Sequence, residues 1–227
     1  MGKEIRRHDC KKRRPVNCGH DSISHGRRHS VSAKDLGTEP IEEFQKWYEK
    51  ALSIEGHDAS AMTLATVTPD GKPTARMVLF KGLQNGNFLF YTNYTSPKAV
   101  SLENTPFAAL VFYWHPLYQQ VRVTGKVQKT TRQDSEAYFH SRARESQIAA
   151  AASEQSSVVS GRDKLLEKYL QIEKDSAGQE ITCPPHWGGY RVIPHTIEFW
   201  MGHKNRLHER VLYTRVNGHW LMSFLNP

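Results

Sequence analysis

Apolar and polar positions alternate with two different periods along the chain, and the change of period separates helices from strands. After Thr38, which can cap a helix, apolar residues recur at helical spacing from Ile41 to Leu52, with Pro40 in the first turn. From Ala61 the period becomes two, and turn signals such as Asp70-Gly71 separate short apolar segments. This pattern predicts the strands Ala61–Val67, Thr74–Lys81, Phe88–Thr92, Phe107–Trp114 and Gln120–Val127, and a short helix Pro97–Asn104.

The second half of the chain returns to helical spacing and then to strands. Thr130 or Thr131 can cap a helix that ends near Ser141, and Ser160 with Asp163 resembles a capping box for another helix. The segment from Trp187 to Tyr190 is consistent with an aromatic-capped turn. The other predicted elements are a helix Arg144–Ala152 and the strands Tyr190–Ile193, Thr196–Met201, Glu209–Val216 and Trp220–Leu225. Together they predict an α+β fold, an antiparallel β-barrel with flanking helices.

Charge is concentrated at the start of the chain. Residues 1–35 hold ten Lys and Arg against four acidic residues, which accounts for +6 of the net charge of +8. Few large apolar residues occur there, so we predict a disordered basic arm over residues 1–37 and a folded domain over residues 38–227. The run Lys11–Arg14 lacks interleaved aromatic residues, which makes nucleic-acid binding unlikely.

The cysteine count, the hydropathy and the absence of common motifs exclude several classes of protein. Three cysteines cannot form a disulfide framework, and Cys10 and Cys18 match no standard zinc spacing, so we expect no metal and a cytoplasmic location. No segment approaches the roughly 20 apolar residues of a membrane span. Glycine-rich phosphate loops, zinc-protease pairs and the Gly-x-Ser-x-Gly hydrolase motif are absent from the sequence.

Two clusters of cations and hydroxyls carry candidate chemistry. Arg76 and Lys81 are five residues apart on a strand and should point to opposite faces, so they serve different groups or only one faces a ligand. Tyr138 and Arg142 are four apart on a helix and, with Ser146, make a plausible phosphate clamp. The alternative for both clusters is an ordinary solvated surface.

A third cluster precedes a predicted strand. Arg206, His208 and Arg210 would share one face of an extended chain, where repulsion favours a bound anion. The alternative is a solvated basic edge.

Nine short motifs, in order and at the expected spacing, together resemble one family. From about Glu39 to the C-terminus, the chain resembles pyridoxine (pyridoxamine) 5′-phosphate oxidases. The resemblance implies an FMN-binding split β-barrel that forms a homodimer with two flavins in the interface. It also implies oxidation of pyridoxine or pyridoxamine 5′-phosphate to pyridoxal 5′-phosphate, with O₂ reduced to hydrogen peroxide. The matching segments are Ala75–Lys81, Phe90–Asn93, Gln120–Val123, Tyr138–Arg142, Ser146–Ile148, Gln155–Ser157, Trp187–Gly189, Glu198–Trp200 and Asn205–His208.

The resemblance also implies roles for individual residues. Arg206 and His208 are the implied catalytic residues and would lie over the pyridine ring, with Arg206 closest to the reacting carbon. Arg76 and Lys98 would hold the FMN phosphate. The implied substrate residues are Lys81, Tyr138, Arg142 and Ser146, which would meet the substrate phosphate, together with Arg206 and His208. The implied FMN residues are Arg76, Met77, Val78, Leu79, Lys81, Tyr91, Thr92, Lys98, Gln120, Gln155, Ser156, Trp187 and Arg210.

Several positions depart from the family pattern. Pro97 stands where the family usually has an arginine that helps to bind the FMN phosphate, which predicts weakened FMN affinity. Met201, Glu209 and Ala149 replace the usual Gln, Asp and Gly. The competing hypothesis is therefore a non-catalytic relative that binds FMN or pyridoxal 5′-phosphate as a carrier or sensor. A flavin reductase is a second enzymatic alternative.

Overall fold

The computed structural model describes residues 35–227 and contains five α-helices and nine β-strands over that range. The predicted arm lies almost wholly outside these residues, as do Cys10 and Cys18. Leu36 is buried in the core, and the Tyr213 hydroxyl donates to the carbonyl of Gly37. Leu36 and Gly37 are therefore in contact with the folded domain. The boundary at residue 38 stays a prediction.

The helices follow the sequence pattern closely, with differences at two N-termini. The first helix is capped by Glu39 rather than Thr38, and the last by Gly161 rather than Ser160, in neither case through a side-chain hydrogen bond. Thr131 caps the third helix, where its side chain accepts from the amide of Asp134. The helices are α1 (Pro40–Leu52), α2 (Pro97–Asn104), α3 (Arg132–Ser141), α4 (Arg144–Ala152) and α5 (Arg162–Asp175).

The strands also match the predictions, except near residue 190. The segment expected to be a turn and two strands is one continuous 15-residue strand that begins at Trp187. A two-residue strand at Leu83–Gln84 has too short a pattern to be visible in the sequence. The strands are β1 (Ala61–Val67), β2 (Pro73–Leu79), β3 (Leu83–Gln84), β4 (Asn87–Asn93), β5 (Phe107–Trp114), β6 (Gln119–Lys129), β7 (Trp187–Met201), β8 (Glu209–Val216) and β9 (His219–Leu225).

All nine strands form one antiparallel sheet in the order β2-β1-β5-β6-β7-β4-β3, with β8 and β9 branching from β7. The first part of β7 pairs with β4, and its last part pairs with β8. On its other edge, β7 pairs with β6 along most of the length of β7. The register with β6 shifts between Thr124 and Gly125. A Cβ at Gly125 would lie 2.0 Å from the carbonyl oxygen of Ile193, so only glycine permits the close approach of the two strands at this register shift.

Two apolar clusters hold this architecture together. The larger one fills the barrel, where the Phe44 ring of α1 packs edge-on against Phe80, Phe88 and Phe112. The smaller one lies under α3 and α4 and includes Phe139 and Trp187. The α+β fold with an antiparallel barrel and flanking helices is thus confirmed. Within residues 35–227, no helix has the length and apolar character needed to cross a membrane.

The sheet leaves one broad face outside both clusters. Cross-strand partners run in an unbroken row from Met77 through Thr63, Val111, Arg122 and Glu198. A second row runs Tyr113, Gln120, Trp200, Arg210 and Leu225. Directly paired residues share a face, so both rows belong to one surface, which we call the outer sheet face. Large apolar side chains on it are exposed, among them Met77, Leu79, Phe107 and Tyr113.

Candidate active site

A cleft of about 590 Å³ opens between β2, β4 and the helices α3 and α4. The end of β4 forms its floor, and the C-terminal end of α3 and the start of α4 form a wall. Its lining residues are Met77, Val78, Leu79, Lys81, Tyr91, Thr92, Asn93, Lys98, Tyr138, Arg142, Ala143, Ser146, Ala149, Ala150, Ser153, Gln155 and Trp187. Nine of the thirteen residues expected for FMN line it, as do Lys81, Tyr138, Arg142 and Ser146, the four expected around the substrate phosphate.

Lys98 is a buried ammonium whose partners in the cleft are uncharged. Its Nζ donates to the Thr92 hydroxyl at 2.9 Å, the Ser96 hydroxyl at 3.0 Å and the Gln155 side-chain oxygen at 2.5 Å. Burial, with a smaller contribution from the charge of Arg76, lowers the pKa of Lys98 to about 8. A cation in this environment is stabilised by an anion, so the group suits a phosphate.

Arg76 does not line the cleft. Its guanidinium donates to the Leu64 carbonyl and to the hydroxyls of Thr66 and Thr74, all of which are neutral acceptors. Burial lowers its pKa, and its charge acts on Lys98. Arg76 and Lys81 therefore serve different surroundings, which is one of the two arrangements that their spacing allowed.

Arg142 has an unsatisfied donor within the cleft region. Its guanidinium lies over the Trp187 ring, 4.9 Å from the centroid, and its Nη1 is buried without a hydrogen-bond partner. Burial lowers the pKa of Arg142. A buried donor left unpaired is costly, and an anionic oxygen would satisfy it. Arg142 follows α3 in extended conformation rather than continuing the helix, yet it still lines the same cleft as Tyr138 and Ser146.

Three stacked aromatic rings form an apolar wall of the cleft. The Tyr91 and Tyr138 rings stack with centroids 3.9 Å apart, and Trp187 stacks on Tyr91 at 5.5 Å. Burial raises the pKa of Tyr91 to about 12, so its hydroxyl stays neutral. The stack fixes the tyrosine hydroxyls relative to Arg142 and presents flat rings, as a planar ligand requires.

Asn93 and Ser153 contribute to the cleft but were not expected as site residues. The Asn93 amide donates to the Ser153 carbonyl at 3.2 Å, and its side-chain oxygen accepts from the backbone and hydroxyl of Thr95. These bonds hold the segment before Gln155 against the end of β4. Asn93 does end a motif that carries the family resemblance, and Asn at a strand end is a signal for side-chain to backbone bonding.

The remaining predicted residues lie elsewhere. Gln120 and Arg210 are on the outer sheet face, and Ser156 is exposed with a left-handed backbone at φ 68°. The expectation that Arg206, His208 and Arg210 share one face of an extended chain is wrong, because a loop precedes β8 and Arg206 has φ 60°. Arg206 is exposed, and neither it nor His208 lines the cleft of its own chain.

His208 is nevertheless held in one orientation. The backbone amide of His203 donates to its Nδ1 at 3.0 Å, and its ring packs on Trp200 with centroids 4.7 Å apart. An Nδ1 that accepts leaves the proton of the neutral imidazole on Nε2. His208 therefore presents an N–H donor away from the loop.

A split barrel with a cationic, aromatic-walled cleft beside an exposed apolar sheet face defines a class of flavin-binding dimers. Comparison of the sequence with known protein families identifies the family within this class. Residues 48–173 match the family described as pyridoxamine 5′-phosphate oxidase, and residues 187–227 match the pyridoxine 5′-phosphate oxidase C-terminal dimerisation region. The chain belongs to the pyridoxine/pyridoxamine 5′-phosphate oxidase family.

Individual relatives agree with this assignment. The chain is 46% identical over 201 residues to a pyridoxine/pyridoxamine 5′-phosphate oxidase of Acaryochloris marina, covering 88% of this chain and 92% of that one. It is 45% identical to that of Coxiella burnetii, covering 85% and 98%. The solved structure of PhzG from Burkholderia lata, in complex with tetrahydrophenazine-1-carboxylic acid, superposes with a TM-score of 0.81 at 28% identity, covering 86% and 95%. A pyridoxamine 5′-phosphate oxidase-related, FMN-binding protein from Nostoc punctiforme has the same fold, with a TM-score of 0.67 at 18% identity, covering 85% and 100%.

Proposed function

We propose that this protein oxidises pyridoxine 5′-phosphate or pyridoxamine 5′-phosphate to pyridoxal 5′-phosphate with FMN as cofactor and O₂ as electron acceptor. The family and its relatives at 43–48% identity support this activity. One structural observation supports this activity for this chain in particular. A single cleft contains both the buried Lys98, whose acceptors are uncharged, and Arg142, whose buried Nη1 lacks a partner. Such a cleft suits two phosphate-bearing molecules, a cofactor and a substrate.

The residues present fit FMN. Lys98, with Arg76 close enough to lower its pKa, supplies positive charge for the phosphate, and Thr92 and Gln155 already bond the ammonium that would receive it. Met77, Val78 and Leu79 line the cleft and offer apolar contact to a planar ring. FMN, when bound, accepts hydride from the substrate and passes the electrons to O₂.

The substrate phosphate is assigned to the cationic and hydroxyl groups on the α3–α4 side. Lys81 and Arg142 supply charge, and the hydroxyls of Tyr138 and Ser146 complete the donor set. Charge-assisted hydrogen bonds fix the phosphate, and the aromatic stack keeps water from one wall of the site. This positions the reacting carbon without requiring the protein itself to exchange electrons.

The remaining assigned residues come from a second subunit. The protein is a homodimer, in line with its C-terminal dimerisation region. Gln120 and Arg210 lie on the outer sheet face, which also carries exposed apolar side chains that a partner would cover. In a two-fold dimer this face meets its own copy, so Arg206, His208, Gln120 and Arg210 of one chain are available to the cleft of the other.

The activity is tested with purified protein, excess FMN and air. We expect pyridoxal 5′-phosphate to form from either substrate, with one hydrogen peroxide per product. Arg142→Met should lower kcat/KM by about ten- to a hundredfold because a charged hydrogen bond is lost. Arg144→Met is the matched control, because Arg144 binds the carbonyls of Gln179 and Ser176 outside the cleft.

Each failure has a distinct meaning in this assay. Bound FMN without product supports the carrier or sensor hypothesis. NAD(P)H oxidation without pyridoxal 5′-phosphate formation supports a flavin reductase. Equal losses in the Arg142 and Arg144 variants would contradict the assignment of the substrate phosphate.

Pro97 provides a separate prediction on cofactor affinity. It is exposed in the first turn of α2, directly before Lys98, so an arginine side chain has room beside the assigned phosphate site. We expect Pro97→Arg to tighten FMN binding by about ten- to a hundredfold, the value of one charged hydrogen bond. The measurement is titration of apo-protein with FMN by quenching of flavin fluorescence. Pro97→Ala controls for loss of the proline ring, and equal affinities for the Arg and Ala variants would refute the prediction.

We also propose a cytoplasmic location. Within the described residues the one cysteine, Cys183, is a buried free thiol, and three cysteines in all are too few for the disulfide framework of a small secreted domain.

A further inference from the structure

Tyr118 lies outside the cleft and none of the roles assigned above includes it, but its surroundings tie it to the loop that carries Arg206 and His208. It follows the 3₁₀ turn His115–Leu117 and has a left-handed backbone at φ 55°. For a bulky non-glycine residue this conformation is strained, and it persists only where neighbouring structure enforces it. Here the Tyr118 carbonyl accepts from the amide of Gly202 at 2.9 Å, directly after β7.

The rings next to this bond form a continuous support under His208. Tyr118 packs edge-on against Trp200, with centroids 5.5 Å apart and planes at 71°. Trp200 packs against His208 at 4.7 Å, and Tyr118 also approaches His208 edge-on at 6.5 Å. Each side chain in this group limits the space open to the other two. The imidazole is thus fixed from below by two rings and from the side by the His203 amide.

Gly202 allows the loop to approach these rings. A Cβ at this position would lie 2.1 and 2.2 Å from two Tyr118 ring atoms and 2.8 Å from Trp200. Side-chain atoms do not approach this closely, so any larger residue must displace the Tyr118 ring or the loop. The loop after Gly202 is itself tightly folded, with the Arg206 amide bonded to the His203 carbonyl and Arg206 at φ 60°. A displacement at Gly202 is therefore transmitted to Arg206 and His208.

The support also connects the loop to the outer sheet face. Trp200 pairs directly with Gln120 on one side and with Arg210 on the other. The ring under His208 thus sits between two residues assigned to the flavin of the partner cleft. His208 packs on Trp200 and is therefore presented at the same face as these two residues.

We propose that Tyr118 is a positioning residue for the oxidase reaction, acting through Trp200 and Gly202 to hold the His208 imidazole and the Arg206 loop over the partner's substrate. The proposal rests on the proposed function, because it needs His208 and Arg206 to act there. Tyr118 itself touches neither cofactor nor substrate. Its aromatic ring, rather than its hydroxyl, positions Trp200 and His208.

Kinetics of the FMN-loaded dimer test the proposal. Tyr118→Ala should lower kcat by about ten- to a hundredfold, because misplacement by about 1 Å reduces rates on that scale. Tyr118→Phe keeps the ring and should stay within about twofold of the wild type. FMN affinity should be little changed, since neither Tyr118 nor Gly202 lines the cleft or is among the residues assigned to FMN. Tyr169→Ala, which removes a tyrosine ring from the smaller apolar cluster on α5, is the matched control.

A double-mutant cycle distinguishes positioning from general support of the fold. Because Tyr118 holds His208 as well as the Arg206 loop, Tyr118→Ala combined with His208→Ala should lose less activity than the product of the two separate losses. If the two losses multiply, Tyr118 acts independently of His208 and the proposal is wrong. An equal loss of FMN affinity and kcat would show a merely structural role and would also overturn it.

If Tyr118→Ala does not fold, Gly202→Ala is the second variant, because the added Cβ should displace the Tyr118 ring or the loop that carries Arg206 and His208. It should reproduce the loss of kcat with FMN binding retained, and wild-type kcat in this variant would contradict the proposal. Wild-type protein in the same assay separates the two levels of inference. An inactive wild type refutes the proposed function, whereas an active wild type with fully active Tyr118→Ala refutes only the positioning role.

Discussion

A heterodimer of one Arg142→Met subunit and one Arg206→Met subunit is expected to show about half of the wild-type activity, although each variant homodimer should keep no more than about a tenth of it. Arg142 lines the cleft of its own chain, whereas Arg206 is exposed on a loop outside that cleft. If each active site combines the cleft of one chain with the loop of the other, the mixed dimer contains one site with both arginines and one site with neither.

The experiment uses co-expression of two differently tagged chains and purification of dimers that carry both tags. Each homodimer should lose about ten- to a hundredfold in kcat/KM, because each lacks a charged group at the substrate. The reciprocal control pairs a wild-type chain with a chain that carries both substitutions, and this heterodimer should be nearly inactive. The opposite pattern, with an inactive first heterodimer and a half-active second one, would show that each chain forms its site alone.

Lys98→Met is expected to weaken FMN binding by about two to three orders of magnitude at neutral pH. Removing one partner of a buried charge pair costs about 3–5 kcal/mol, and every 1.4 kcal/mol is a factor of ten in affinity. Methionine matches the length of the lysine stem, so packing against Thr92 and Gln155 is largely kept. The measurement is the FMN titration used for Pro97, and Lys46→Met, an exposed lysine on α1, is the control.

The pH dependence gives this prediction a second readout. In the protein without FMN the pKa of Lys98 is about 8. Above that pH most of the Lys98 side chains are neutral, so the amine must take up a proton when the FMN phosphate binds. FMN affinity of the wild type should fall by up to about tenfold per pH unit above pH 8, and Lys98→Met should lack this dependence. A wild-type affinity that stays constant between pH 7 and pH 9.5 would contradict the assignment of Lys98 to the phosphate.

The same pKa predicts how apo-protein stability changes with pH. The folded pKa lies below the ordinary value of 10.5, so the folded state binds fewer protons than the unfolded state between about pH 8 and 10.5. The contribution of Lys98 to stability therefore rises with pH across this window. Apo Lys98→Met should lack that rise, and thermal unfolding at several pH values would show it.

The amino-acid sequence determined the elements and most of the cleft. Periodicity placed α2, α4, β1, β5 and β8 at the bounds that the structure has, because each buries one face and turn residues or prolines end the pattern. The family motifs then predicted nine residues for FMN and four for the substrate phosphate, Lys81 being in both sets, and the structure places all of them in the lining of one cleft.

The tertiary structure decided what depends on contacts between distant segments. The register shift between β6 and β7 depends on Gly125 meeting the backbone of Ile193, which no local pattern reveals, so the sequence predicts two strands where the structure has one. The left-handed Arg206 turned an expected extended face into a loop, because Gly202 and His203 bond to Tyr118 and His208. The sheet register placed Gln120 and Arg210 away from the cleft and on the outer sheet face. Sequence patterns report which side of an element is buried, whereas the residue that each β6 side chain meets on β7 lies more than 60 residues away along the chain.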